Sequence, residues 1–232
     1  MVHNRTVVVT GGTGGLGAAV TGGFLDDGWR VVVPWIEERE LTRVARHERL
    51  ELVQADLFDA QAVGSLVQRA AAAADAPLKA LVNLVGGYAA GGRVHETPVE
   101  DFDAMLRLNL RPTYLMTQAA IPPMIAAGGG SVVCVGSRAA LAPFPGAAGY
   151  VVAKAAVIAF AQAVAVEYKH QGVRCNAVLP SVIDTPANRA AQPDADFTRW
   201  VTPVDIARII RFLAGDDSVA TSGAAIPVYG RG

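Results

Sequence analysis

The sequence predicts an α/β fold, a doubly wound parallel sheet in a single domain, on three observations. Short β-branched runs alternate with longer helical stretches along the whole chain. That order builds a parallel sheet with right-handed crossovers. Several strand candidates are apolar at every position instead of every second one, as required when helices cover both faces of the sheet. The 232 residues suit one core, since roughly 70–75% of the unfolded surface is buried at this size without disulfide or metal support.

Taken in order, residues 6–10 (TVVVT) open the series as a strand, and 15–27 follow as the first helix. Residues 30–33 and 50–54 are the next strands, with a helix expected over 37–47 between them. A helix over 60–74 leads to the fourth strand at 80–84, and the alanines of 70–76 read as a helix end. The longest helical stretch, 99–126, precedes a strand at 131–136, a helix over 147–170 and a strand at 173–179. A helix over 203–214 and a strand over 225–228 close the pattern. Two segments interrupt it. Residues 86–92 (GGYAAGG) follow the fourth strand, where glycine permits flexibility or close backbone approach to a ligand. Residues 181–202 follow the sixth strand and are long for a connection, the length of a lid. Both emerge at the carboxyl ends of the strands, where a doubly wound sheet binds its ligand.

Composition removes several classes of function. With 52% hydrophobic residues, 18% charged and a net charge of -1, the chain lacks the basic surface that nucleic acid requires. Cys134 and Cys175 lie in apolar strand-like runs and are expected to pack as small hydrophobes, with no CxxC pair available for a metal. His3, His47, His95 and His170 share no metal-like spacing, so no metal is expected. No signal-peptide pattern or apolar run of about 18 residues stands out, and a soluble cytoplasmic protein is the expectation.

The first chemical signal follows the first strand. Thr10-Gly11-Gly12-Thr13-Gly14-Gly15-Leu16-Gly17 runs directly into a helix. Glycines allow a tight turn and close approach of a pyrophosphate, which then meets the N–H groups and dipole at the helix N-terminus. The second signal is Tyr150 and Lys154, four apart and so on one helical face. A phenol of pKa about 10 needs help to move a proton near neutral pH, and an adjacent ammonium favours the phenolate. Their neighbours Val151, Val152, Ala155, Ala156, Val157 and Ile158 make the helix apolar nearly all round. A lysine buried there without a task would be costly. Ser137, just past the fifth strand, is placed either to hold a substrate oxygen or to form the turn Gly136-Ser137-Arg138. Asn109 is a poor helix former inside a long helix.

The spacing Gly11-x-x-x-Gly15-x-Gly17 after a threonine resembles the TGxxxGxG turn of the short-chain dehydrogenase/reductase family, and matches follow in that family's order along essentially the whole chain. Ala55-Asp56-Leu57 is similar to its adenine-contacting segment, and Asn83-Leu84-Val85-Gly86 to its NNAG strand end. Asn109, Ser137 and Tyr150-x-x-x-Lys154 come next; Pro180, Val182 and Thr185 resemble the stretch flanking the nicotinamide. The resemblance implies a Rossmann-type fold and an NAD(P)-dependent oxidoreductase acting on a carbonyl or alcohol. It gives Tyr150 the acid/base role, carries Lys154 to the nicotinamide ribose, and makes Asn109 part of a proton relay through water and Lys154. It also implies a homodimer or homotetramer paired through the two long helices, with a small-molecule substrate.

Two positions depart from the pattern. Pro180-Ser181 stands where the family has Pro-Gly, which is tolerable at negative φ. At the end of the second strand, where an acid usually bonds the adenosine ribose, the chain reads Val33-Pro34-Trp35-Ile36-Glu37. Trp35 either packs against adenine or covers the sheet edge. Glu37 and Glu38 near the expected 2′-phosphate, and an uncharged Gly14, favour NAD over NADP; Arg39 is the residue best able to reverse this. The lid, from Asp184-Thr185-Pro186 through Phe197 and Trp200, is similar to that of dihydropteridine reductases, as is Val85-Gly86-Gly87-Tyr88. Pterin reduction is therefore the alternative activity, although that branch lacks equivalents of Asn109 and Ser137. A non-catalytic dinucleotide-binding regulator on the same fold is the alternative of another class.

Overall fold

The computed structural model describes residues 4–231, and His3 lies outside them. Among the described residues seven strands form one all-parallel sheet: β1 Thr6–Thr10, β2 Arg30–Trp35, β3 Leu50–Gln54, β4 Leu78–Asn83, β5 Gly130–Val135, β6 Val173–Pro180 and β7 Ala225–Val228. Their order is β3-β2-β1-β4-β5-β6-β7. The helices are α1 Gly17–Asp26, α2 Ala60–Ala71, α3 Val99–Ala126, α4 Ala148–Glu167, α5 Pro186–Ala191 and α6 Pro203–Ala214. The strand order reverses between β1 and β4, so a crevice opens there beyond their carboxyl ends.

The continuous apolar runs are explained by the two layers. Val8, Val32, Leu81, Val132, Cys134 and Cys175 face α2, α3 and α4, whose Leu66, Met116, Met124, Val157 and Ala161 complete that core. Val7, Val9, Val31, Val33, Val82 and Val133 point the other way, against Val20 and Phe24 of α1 and Ile206, Ile210 and Leu213 of α6. Successive side chains alternate between faces, and both faces are covered. Both cysteines are free and buried. Local chemistry sets the helix starts: Asp59 accepts from the Gln61 N–H before α2, and Thr202 accepts from the Asp205 N–H before α6, with Pro203 at its first turn.

Two expectations are corrected. The helix expected over 37–47 is a short 3-10 turn, Glu38–Arg43, none of whose residues is buried. Leu41, Val44 and Ala45 are the only apolar residues in this stretch, a single turn of stripe amid charges and too little to hold a longer helix on the sheet. The expectation that no apolar stretch reaches membrane-spanning length fails at α4, which is long and apolar enough by length and composition. Its Ala153, Val157, Ile158, Ala161, Val164 and Ala165 are buried, and the helix packs on α3, β5 and β6. Its other side leaves Val152 and Val166 exposed. The 181–202 segment is more ordered in its local structure than a loop: it holds α5, a 3-10 turn at Phe197–Arg199 and a bridge between Ile183 and Val201.

Candidate active site

The glycine turn is shaped to hold an anionic group. Gly11 has φ +65°, a conformation that side chains with a Cβ rarely adopt, and its carbonyl accepts from the Gly14 N–H at 2.9 Å. A Cβ on Gly17 would overlap the Gly11 carbonyl, so only glycine lets α1 start against the turn. Leu16, before α1, makes no side-chain cap and the first turn has no acidic residue. The Ala18 N–H donates to the Gly14 carbonyl at 2.9 Å, while no side chain caps the first turn; the helix dipole and the N–H groups left there suit an external anion, and fit a dinucleotide pyrophosphate. Thr185, which caps α5 through the Asn188 N–H, brings its Cγ2 to 3.1 Å from the place of a Gly15 Cβ and walls the other side. The Thr10 hydroxyl accepts from the Leu84 and Val85 N–H groups at 3.1 and 3.5 Å, joining the ends of β1 and β4.

The remaining sequence-selected positions divide. Trp35 ends β2 half-buried, and its carbonyl accepts from the Ala55 N–H. Asp56 is exposed, its carboxylate accepting from the Phe58 N–H at 2.8 Å, whereas Leu57 belongs to the core. The Asn83 side chain turns inward, donating to the Thr117 hydroxyl at 3.1 Å and toward Cys134 Sγ at 3.8 Å. Its side chain is committed to the core rather than to the crevice. Pro180 is buried at the end of β6 and Val182 is partly exposed; Ser181 takes no positive φ and donates to the Tyr229 carbonyl at 2.7 Å. Thr13 is buried, and its hydroxyl donates to Glu40 Oε2 at 2.9 Å.

Across the crevice stand the proton-handling groups. Lys154 is 6% exposed; its Nζ donates to the Val135 carbonyl at the end of β5, at 3.0 Å, and lies 5.9 Å from the Tyr150 ring centre. Gly86 closes over it: a Cβ there would sit 2.6 Å from Asn109 Oδ1 and 3.1 Å from Lys154 Nζ. Asn109 Oδ1 accepts from the Gly87 N–H and its Nδ2 donates to the Gly87 carbonyl, both at 3.1 Å, so the buried amide fixes the loop after β4. Its own carbonyl accepts from the Thr113 hydroxyl at 3.3 Å. Ser137 forms the expected turn, its Oγ accepting from the Ala139 N–H at 3.1 Å, and its hydroxyl is near enough to the Tyr150 phenol to pull that group's pKa down.

Burial holds the Lys154 pKa down at about 8 against the opposing pull of Cys134. Burial also raises the Tyr150 pKa, with the Ser137 hydroxyl opposing and the Tyr88 phenol adding to the rise. The expected lowering of the phenol by Lys154 is not seen: desolvation of the phenolate dominates. Tyr88 stands edge-on to Tyr150 with ring centres 5.0 Å apart, and Phe144 lies 6.4 Å from Tyr88. In the lid, Phe197 and Trp200 pack at 4.7 Å, half-buried, with the Arg189 guanidinium 4.6 Å from the Phe197 ring centre. The contact of Tyr88 with Tyr150 and that of Glu40 with Thr13 depend on loop geometry and were not legible from spacing.

The model of the family described as short chain dehydrogenase matches residues 5–196. The chain belongs to the short-chain dehydrogenase family. It is an oxidoreductase of that family, moving a hydride between a nicotinamide cofactor and a hydroxyl-bearing or carbonyl carbon. It is 34% identical to 2-(R)-hydroxypropyl-CoM dehydrogenase of Xanthobacter autotrophicus, with 98% of each chain covered. It is 30% identical to the 2,5-dichloro-2,5-cyclohexadiene-1,4-diol dehydrogenase LinX of Sphingobium indicum, over 97% of this chain and 95% of that one. Among solved structures, ElxO with NADP bound superposes with a TM-score of 0.90 at 26% identity, covering 98% of each chain. A Burkholderia thailandensis oxidoreductase of the family gives 0.86 at 30% identity, covering 98% of this chain and 92% of that one.

Gly15→Val fills the space between α1 and Thr185. Dinucleotide affinity measured by calorimetry on the folded variant is expected to fall at least about tenfold, and unchanged affinity would contradict the placement of the pyrophosphate.

Proposed function

We propose that Tyr150 is the general acid/base of the reaction, that Ser137 holds the substrate oxygen, and that Lys154 and Asn109 set the electrostatics and the loop geometry around them. The observation that carries this reading is convergence. The Asn109 side chain of α3 and the Lys154 side chain of α4 meet beside Gly86, and Lys154 bonds the main-chain carbonyl that ends β5, across one crevice from the glycine turn. The bound nicotinamide supplies or accepts the hydride. Gly11, Gly15 and Gly17 admit its pyrophosphate, with Thr185 opposite, while Val85 and Gly86 follow β4 toward the ring. Reduction makes an alkoxide oxygen, and the Tyr150 phenol gives it a proton while the Ser137 hydroxyl holds the same oxygen. Burial keeps the phenol protonated until that charge develops. Lys154 lies close enough to stabilise the phenolate left behind; with a pKa of about 8 its ammonium is present at neutral pH and is lost as pH rises through that value. Asn109 acts through the Gly86–Gly87 backbone and so is a positioning residue.

The 181–202 segment serves as the lid, with Phe197 and Trp200 as apolar cover that excludes water from the transfer. Both rings are half-buried and lie outside the two core layers. Hydrogen exchange of this segment is expected to slow when dinucleotide and substrate are both present; full protection without ligands would make it a fixed wall. The buried free thiols of Cys134 and Cys175 accord with a reducing compartment such as the cytoplasm.

Tyr150→Phe keeps the ring and removes the proton. On a substrate turned over by the native chain, kcat is expected to fall by about 10²–10⁴ while dinucleotide affinity stays within a few fold. Substantial remaining activity would place the proton donor elsewhere.

A further inference from the structure

Cofactor choice turns on what meets the adenosine 2′ position. β2 ends in Trp35 without a carboxylate, and Gly14 brings no cation. Glu37 pairs with Arg39, whose side chain is 82% exposed, so that pair is turned to solvent. The acid that reaches the glycine turn is Glu40. Its Oε2 accepts from the Thr13 hydroxyl at 2.9 Å, and its Oε1 accepts from Arg43 Nη1, also at 2.9 Å. The same Arg43 nitrogen reaches the Thr13 carbonyl at 3.5 Å. The 3-10 turn carrying Glu40 and Arg43 buries none of its residues, so this latch, more than apolar packing, holds it over the turn.

We infer that Glu40 is the residue that selects NAD(H) over NADP(H), taking the place of the missing acid at the end of β2. The inference rests on the proposed dinucleotide site. With the pyrophosphate on α1, the adenosine ribose lies between the glycine turn and the β2 end, where an acidic side chain bonds the 2′-hydroxyl in folds of this type. The Glu40 carboxylate is one-third exposed, and each oxygen uses one lone pair in the latch. A further acceptor site on each is left for ribose hydroxyls. A 2′-phosphate brought to the same place would face that carboxylate at short range, and like charges there oppose binding. Arg43 offsets this only in part, because its Nη1 is engaged by the Glu40 carboxylate and the Thr13 carbonyl. Removing Glu40 frees that guanidinium for a phosphate.

The test is calorimetric titration of the full chain with NADH and with NADPH. Native protein is expected to bind NADH at least about tenfold more tightly, the size of one hydrogen bond to a charged group. Glu40→Ala is expected to weaken NADH and strengthen NADPH, shifting the ratio by more than about tenfold, and the coupling between Glu40 and Arg43 is checked with Arg43→Ala. That second change lowers NADH affinity by loosening the latch and leaves NADPH weak; combined with Glu40→Ala it cancels the gain for NADPH. Glu40→Gln keeps the size and one acceptor without the charge, and is expected to gain NADPH affinity while keeping much of NADH; it carries the test if Glu40→Ala fails to fold. Equal native affinities, a native preference for NADPH, or an unchanged ratio in folded Glu40 variants would overturn the assignment to Glu40. Native protein that binds neither dinucleotide would overturn the dinucleotide site itself, and the inference with it.

Discussion

The buried ammonium of Lys154 is the constraint on which the rest of the site depends. A charge taken out of water is costly unless it is bonded and used, and here the Val135 carbonyl at the end of β5 is its one hydrogen-bond acceptor among the described residues. Burial brings its pKa down to about 8, so the group keeps its proton at neutral pH by a narrow margin. Its surroundings follow from that. Position 86 has no room for a side chain between Lys154 and Asn109, and Asn109 in turn clamps Gly87 by both backbone groups. The same loop carries Tyr88 onto the Tyr150 ring. Lysine, glycine, amide and phenol therefore form one unit, and displacing any of them moves the others.

The dinucleotide side is built from absences of another kind. A glycine where φ is positive, a glycine where a Cβ would meet the Gly11 carbonyl, and a helix start without a side-chain cap together leave backbone N–H groups facing an open slot. Thr10 ties this turn to the end of β4, so the two halves of the site are held at the switch point by strand-end contacts. Parallel strands buried on both faces make that frame stiff, as expected for a site whose geometry must be held closely.

Much of this was legible beforehand because it rests on local periodicity. Apolar runs such as TVVVT announce a strand covered on both sides, and a spacing of four puts Tyr150 and Lys154 on one face whatever the fold. What depended on non-local geometry was not legible. The 37–47 stretch contains good helix formers, yet its apolar stripe is too short to anchor it, and it settles as a polar turn whose Glu40 meets Thr13 from 27 positions away. Asn83 matches a motif in sequence, but its amide is spent on Thr117 and Cys134 inside the core. The direction of the phenol's pKa was not legible from the spacing of Lys154, since it is set by desolvation of the buried ring, which only the packed structure reveals.

The central claim is that a buried, weakly held lysine charge organises the catalytic half of the site. Nitrogen NMR of the Lys154 ammonium, titrated from neutral to alkaline pH and assigned with a Lys154→Met variant, tests it most directly. The account predicts a midpoint near 8, well below the ordinary lysine value of about 10.4. A midpoint at the ordinary value would mean that the ammonium is solvated, and the organisation described around it would be contradicted.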